Sequence, residues 1–126
     1  MVEIGLTAQS TVTVQSNNTA IALGSGDLEV FATPAMIALM ENAAMMAVSS
    51  ELEEGSTTVG TSMSSSHIKA SGVGAQITAT ATVTGVEGRK IIFKVEASDQ
   101  DGVIGEGEHT RFVVDKTKFM QKIKSL

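Results

Sequence analysis

Residues Phe31 to Val48 read FATPAMIALMENAAMMAV, and the reading of this stretch decides the fold. Apolar residues run from Ala35 to Met40 and again from Ala43 to Val48, interrupted by Glu41 and Asn42. A helix that is apolar on every side belongs inside a core. A carboxylate in the middle of such a helix is costly unless it is paired or neutralised. Glu41 therefore needs an explanation. Thr33 followed by Pro34 reads as an N-cap with proline at the first helical position. The helix should fade by Ser49–Ser50, where ELEEGSTT (51–58) makes an acidic turn.

Upstream, QSTVTVQ (9–15) is rich in Thr and Val and reads as a first strand. The segment SNNTAIALGSGDLEV (16–30) has turn formers at both ends and little periodicity, so it reads as a loop or lid. Downstream, the hydrophobic period changes from helical to two. TTVGTSMSSSHIKA (57–70) is a polar strand with His67 near its end. In AQITATATVTG (75–85), Ile77, Ala79, Ala81 and Val83 share one face and four threonines share the other. A Glu-Gly turn in VEGRK leads to Ile91, Phe93, Val95 and Ala97, which again alternate. SDQDG turns the chain into VIGEGEHTRFVVD (103–115), and KTKFMQKIKSL reads as a short basic amphipathic helix.

One strand, one buried helix and four consecutive antiparallel strands argue an α+β domain. Ala35, Ala38, Ala43, Ala44 and Ala47 should let the sheet curl closely around the helix. The length of 126 residues suits a single domain spanning 1–126. A net charge of -5 offers no basic footprint for nucleic acid. Four Phe without Trp or Tyr leave little for base stacking. Zero Cys excludes disulfides, thiolate metal sites and a cysteine nucleophile, and two His leave little for a histidine metal cluster. The N-terminus lacks the pattern of a signal peptide, and no apolar run reaches the roughly 20 residues that span a bilayer. The expectation is a cytoplasmic protein with no membrane partner. The Asn17-Asn18-Thr19 sequon is then incidental.

The stretches VFATPAMIALMENAA (30–44), VGTSMSSSHIKASGVG (59–74), VTGVEGRKIIFKVEASD (83–99) and IGEGEHTR (104–111) resemble the hotdog thioesterases similar to fluoroacetyl-CoA thioesterase. The resemblance runs from Val30 toward the C-terminus and departs upstream of the helix, where the family's aromatic-rich lid has no counterpart except Phe31. It implies a hotdog fold, in which an antiparallel sheet wraps one long helix, and a homodimer. It also implies hydrolysis of a short-chain acyl-CoA, with coenzyme A as part of the substrate and no separate cofactor. The family's Thr before the helix, Glu eight residues on and His on the next strand fall on Thr33, Glu41 and His67. Its Gly near the substrate carbonyl falls on Gly60. Phe31 and Thr61, beside these positions, become candidates for substrate contact.

Each residue also has a plainer reading. Glu41 could be a satisfied structural carboxylate, or one kept dry with a raised pKa and so a stronger base or a nucleophile. His67 could close a strand or carry a proton, and Thr33 could simply cap the helix. His109 reads as a partnered strand histidine, with Gly105 and Gly107 admitting another backbone or a ligand. Neither LGSGD nor GEGEH has a dinucleotide-binding context. Lys116, Lys118, Lys122 and Lys124 could meet coenzyme A phosphates, although a solvated helix face accounts for them. An acyl-CoA-binding module and a hotdog hydratase or dehydratase remain the rival functions.

Overall fold

The computed structural model describes residues 1–125. Strand β1 (Thr7–Thr13) precedes a single helical turn α1 (Ala20–Leu23) and the long helix α2 (Thr33–Val48). Strands β2 (Ser56–His67), β3 (Gln76–Glu87), β4 (Lys90–Asp99) and β5 (Gly102–Asp115) follow, and α3 (Lys116–Lys124) ends the chain. All pairings are antiparallel, and the sheet order is β1-β3-β4-β5-β2. The last four strands are thus consecutive in the chain but not in the sheet. Among the described residues, β2 lies at the far edge and pairs with β5 alone.

The period-two reading predicts the core. Ile77, Ala79, Ala81 and Val83 of β3 and Ile91, Phe93, Val95 and Ala97 of β4 are all buried. They pack against Met36, Met40, Ala43, Ala44, Ala47 and Val48 of α2. Each fully buried Val, Ile, Phe or Met side chain contributes about 1.5–3 kcal/mol. The sheet therefore grips one face of the helix, as the hotdog arrangement requires.

Three details of the helix differ from the sequence reading. First, α2 has an outer face. Pro34, Ala38, Asn42 and Met46 are exposed, while Ala35 is only half-buried. Ala and Met suit either environment, so composition alone did not reveal this face. Second, Glu41 lies at the boundary and its side chain is 42% exposed, so the dry burial expected for it is not present. Third, Ala32 is the N-cap and Thr33 is the first helical residue, with no side-chain capping bond. The Thr33 hydroxyl is engaged elsewhere.

Residues 16–30 form a covering segment stitched at its base. Asn18 Nδ2 donates to Thr13 O (3.0 Å), Ala32 N donates to Asn18 O (3.0 Å), and Ala20 N donates to Val30 O (2.8 Å). Thr19 caps α1 through Ala22 N. Ile21, Leu23 and Leu28 of this segment are exposed. No helix among the described residues is long and apolar enough to cross a membrane.

Candidate active site

Two polar groupings lie against α2. The first joins the start of the helix to the end of β2. Thr33 Oγ1 and His67 Nδ1 are 2.8 Å apart. If the imidazole carries its proton on Nε2, the Thr33 hydroxyl donates to Nδ1. His67 Nε2 is buried and has no hydrogen-bond partner among the described residues. The strand end is held in place by the Ile68 amide on Ile104 O (2.7 Å) and by Lys69 Nζ on the Asp99 carboxylate (3.2 Å). Gly105 faces His67 in the ladder. A Cβ there would lie 2.6 Å from both Met36 Sδ and Ser66 O, so only glycine lets β5 run this close. Burial pushes the His67 imidazole below its usual 6.5, partly offset by the Lys69 backbone. It is therefore neutral near pH 7 and able to accept a proton.

This pair faces a cavity of about 250 Å³ walled by Ala20, Val30, Phe31, Thr33, His67 and Lys69. Phe31 is buried, and its amide donates to Ser71 O at 2.8 Å. Its ring also walls an apolar groove on the outer face of α2.

The second grouping surrounds Gly60. Glu41 Oε2 lies 3.9 Å from Arg111 Nη1 and 2.8 Å from where a Cβ on Gly60 would stand. His109 and Arg111, two residues apart on β5, both face inward and are 1% and 7% exposed. Arg111 Nε donates to Thr58 Oγ1 (2.8 Å), Nη2 donates to Thr58 O (2.9 Å), and Nη1 lies 3.2 Å from His109 Nε2. His109 Nδ1 is 2.7 Å from Ser62 O. Burial draws His109 below 6.5, as does the neighbouring guanidinium, against the pull of Ser62 O and Glu41. The register of β2 against β5 slips between Gly60 and Ser62, leaving Thr61 in a bulge. Thr61 is exposed, and its hydroxyl reaches Thr110 O at 3.3 Å.

Thr33 and His67 therefore meet, as do Glu41 and Gly60, but no hydrogen bond or ion pair among the described residues joins the two groupings. The eight-residue step from Thr33 to Glu41 rises about 12 Å along the helix, and the ordered N-terminus does not fold back to close it. Arg111 and Thr58 have no role in the sequence reading. The available signal was an arginine at a core-facing register position two residues after His109, because a buried guanidinium requires partners.

The profile of the fluoroacetyl-CoA-specific thioesterases matches residues 14–117. The chain belongs to this family. Within it, the fluoroacetyl-CoA thioesterase of Streptantibioticus cattleyicolor is 40% identical over 96 residues, which span 76% of this chain and 69% of that protein. A single-site variant of the fluoroacetyl-CoA thioesterase FlK, solved with acetyl-CoA, aligns at 32% identity with a TM-score of 0.92 and covers 98% of both chains. A hot-dog-like protein from Thermanaerovibrio acidaminovorans is 23% identical, with a TM-score of 0.87 over 97% of this chain and 90% of that one. This last likeness is one of fold. The thioesterase family match falls on the helix and strands that carry both groupings.

Proposed function

We propose that this chain is a short-chain acyl-CoA thioesterase working as a homodimer, one catalytic domain per subunit, in the cytoplasm. The observation that carries the reading is the Thr33–His67 hydrogen bond at the wall of a small cavity, with His67 Nε2 buried and unpartnered. A hydroxyl bonded to a neutral imidazole is a nucleophile–base pair. Family membership and the acyl-CoA substrate of the relatives support the same chemistry. An acidic chain without cysteine suits the cytoplasm.

In this reading His67 takes the proton of the attacking oxygen, which Thr33 supplies or holds in a water. The developing oxyanion is met by backbone amides at the Gly60 bulge, and Glu41 acts as the carboxylate base. Backbone donors set in advance where charge develops are the usual source of such stabilisation. Collapse expels coenzyme A, whose sulfur takes back the proton held by His67. Attack by a Thr33-held water frees the acid in the same step, whereas attack by the Thr33 hydroxyl leaves an acyl ester that a water, deprotonated by His67, then hydrolyses. Phe31 and Thr61 border the acyl and thioester positions.

The separation of the two groupings supports dimerisation. β2 is a 12-residue edge strand, and open edges invite pairing. Within one chain, His67 and Gly60 are seven residues apart on β2, about 23 Å at strand rise. Antiparallel pairing of two β2 edges about a twofold axis between Met63 and Ser64 would set His67 opposite Gly60 of the partner subunit. Neighbouring strands lie about 4.8 Å apart, so Glu41 of the partner subunit would come to the unpartnered face of His67.

Incubation with a panel of short acyl-CoAs and a thiol reagent tests the reading. Multiple-turnover thiol release is expected. Binding without release would indicate a holding module, and loss of enoyl absorbance without thiol would indicate a hydratase. Either result would overturn the proposal.

A further inference from the structure

We infer that His109 and Arg111 form a positioning pair that holds the Glu41 carboxylate and the bulged strand at Gly60 in working geometry. The inference rests on the thioesterase reading above, and it concerns residues that the reading leaves without a role.

The hydrogen-bond accounting is nearly closed. Ser62 O can only accept, so His109 Nδ1 must carry a proton. In the neutral ring Nε2 is then bare and accepts from Arg111 Nη1. Thr58 takes Nε and Nη2. What remains of Arg111 Nη1 points toward Glu41 Oε2 at 3.9 Å. Thr58 lies before the bulge and Ser62 lies after it. A single guanidinium, braced by a single imidazole, therefore ties both flanks of the bulge to β5 and presents its free edge to the carboxylate.

Gly60 is the space around which this is built. A Cβ there would lie 2.8 Å from Glu41 Oε2, 3.1 Å from His109 Cε1 and 3.3 Å from Arg111 Nη1. All three groups converge on the volume that a side chain would fill. The exposure is also divided. Arg111 is 7% exposed, whereas the Glu41 side chain is 42% exposed. A pair serving only to fill the core would not leave one member open. Apolar residues fill such space at less cost than a buried charge. A buried holder and an accessible held carboxylate fit a group that must meet a reactant.

The test is a double-mutant cycle on kcat and KM with the best acyl-CoA of the panel. Arg111→Met should lower kcat by about 10- to 100-fold, the scale of a misplacement of about 1 Å, with KM changed less than about threefold. In the Glu41→Gln background the same substitution should change kcat less than about twofold, because coupled residues do not add. His109→Gln keeps a donor for Ser62 O and an acceptor for Arg111, so it should retain most of the activity that His109→Leu loses. If Arg111→Met does not fold, Arg111→Lys replaces it in the cycle, since lysine keeps the charge but not the fork. Additive losses, a change confined to KM, or full activity in His109→Leu would overturn the inference. A parent inactive on every acyl-CoA would overturn the thioesterase assignment and this inference with it, whereas a fully active Glu41→Gln would leave the thioesterase assignment standing and overturn the role of Glu41 and this inference. An active parent, an inactive Glu41→Gln and an additive cycle would overturn the positioning role alone.

Discussion

Thr33 and His67 share one hydrogen bond and leave a buried nitrogen empty, whereas Glu41 sits against an arginine that is itself held at three points. The first grouping is formed by a strand end and a helix start beneath a covering segment. The second lies mid-helix and mid-strand over two adjacent inward positions of β5. The contrast is one of completion. A saturated network fixes geometry before anything binds, and buried polar groups with all their partners rigidify their surroundings. An imidazole with one bare face keeps a position open for a reactant or a second subunit.

The largest expected effect removes the carboxylate from the saturated side. Glu41→Gln keeps shape and volume but deletes the base, and kcat should fall by about 1000-fold, within the range for a positioned acid–base group. Circular dichroism and melting should remain close to the parent. Turnover within twofold of the parent would erase the distinction between the groupings. His67→Ala should cost about 100-fold. The parent's kcat/KM should decline only below pH 6.5, since burial lowers the imidazole, and this acid limb should disappear in the variant. An unchanged profile would make His67 a bystander.

Gly60→Ala sharpens the comparison from the other side. Its nearest contact is the far end of the flexible Glu41 side chain, which can swing away, while the buried His109 Cε1 at 3.1 Å and Arg111 Nη1 at 3.3 Å must each give by a few tenths of an ångström, at a modest cost in stability. A kcat loss of about tenfold with only a modest drop in melting temperature is expected. A large drop in melting temperature with kcat intact would show the bulge to be structural only. The smallest effect is on acid stability. Both His67 and His109 lie below 6.5 when folded, so below that pH the unfolded chain takes up protons that the folded chain resists. Stability is full above pH 6.5 and falls as pH drops toward the folded values. Melting temperatures from pH 7.5 to 5 should decline less steeply in His67→Gln than in the parent, and equal slopes would count against the burial of His67.

The strands were legible because alternation records which face is buried. Ile77 to Val83 and Ile91 to Ala97 fall on the core without exception. The burial of α2 was less legible, since alanines and methionines suit core and surface alike, and Glu41 consequently lies at a boundary. The cap at Thr33 was misread because a threonine before a proline fits a cap locally, while its actual partner, His67, is 34 residues away. Sheet order was also hidden. Nothing in the period of β2 marks it as an edge beside β5, although its run of serines fits one. Arg111 was readable only as a charge at a core-facing position, and its partners, Thr58 on β2, His109 on its own strand and Glu41 on α2, come from three separate elements.

The open β2 edge has a consequence for genetics. If each reaction centre takes Thr33 and His67 from one chain and Glu41 from the other, then two inactive chains can make an active enzyme. His67→Ala and Glu41→Gln chains, unfolded and refolded together in equal amounts, would form mixed dimers as half of the population. Each mixed dimer would carry one centre with all of its groups and one with neither defect repaired. Activity should return to roughly a quarter of the parent's, as random twofold assembly dictates, although each variant alone stays silent. Two alleles that fail singly would then complement each other in one cell.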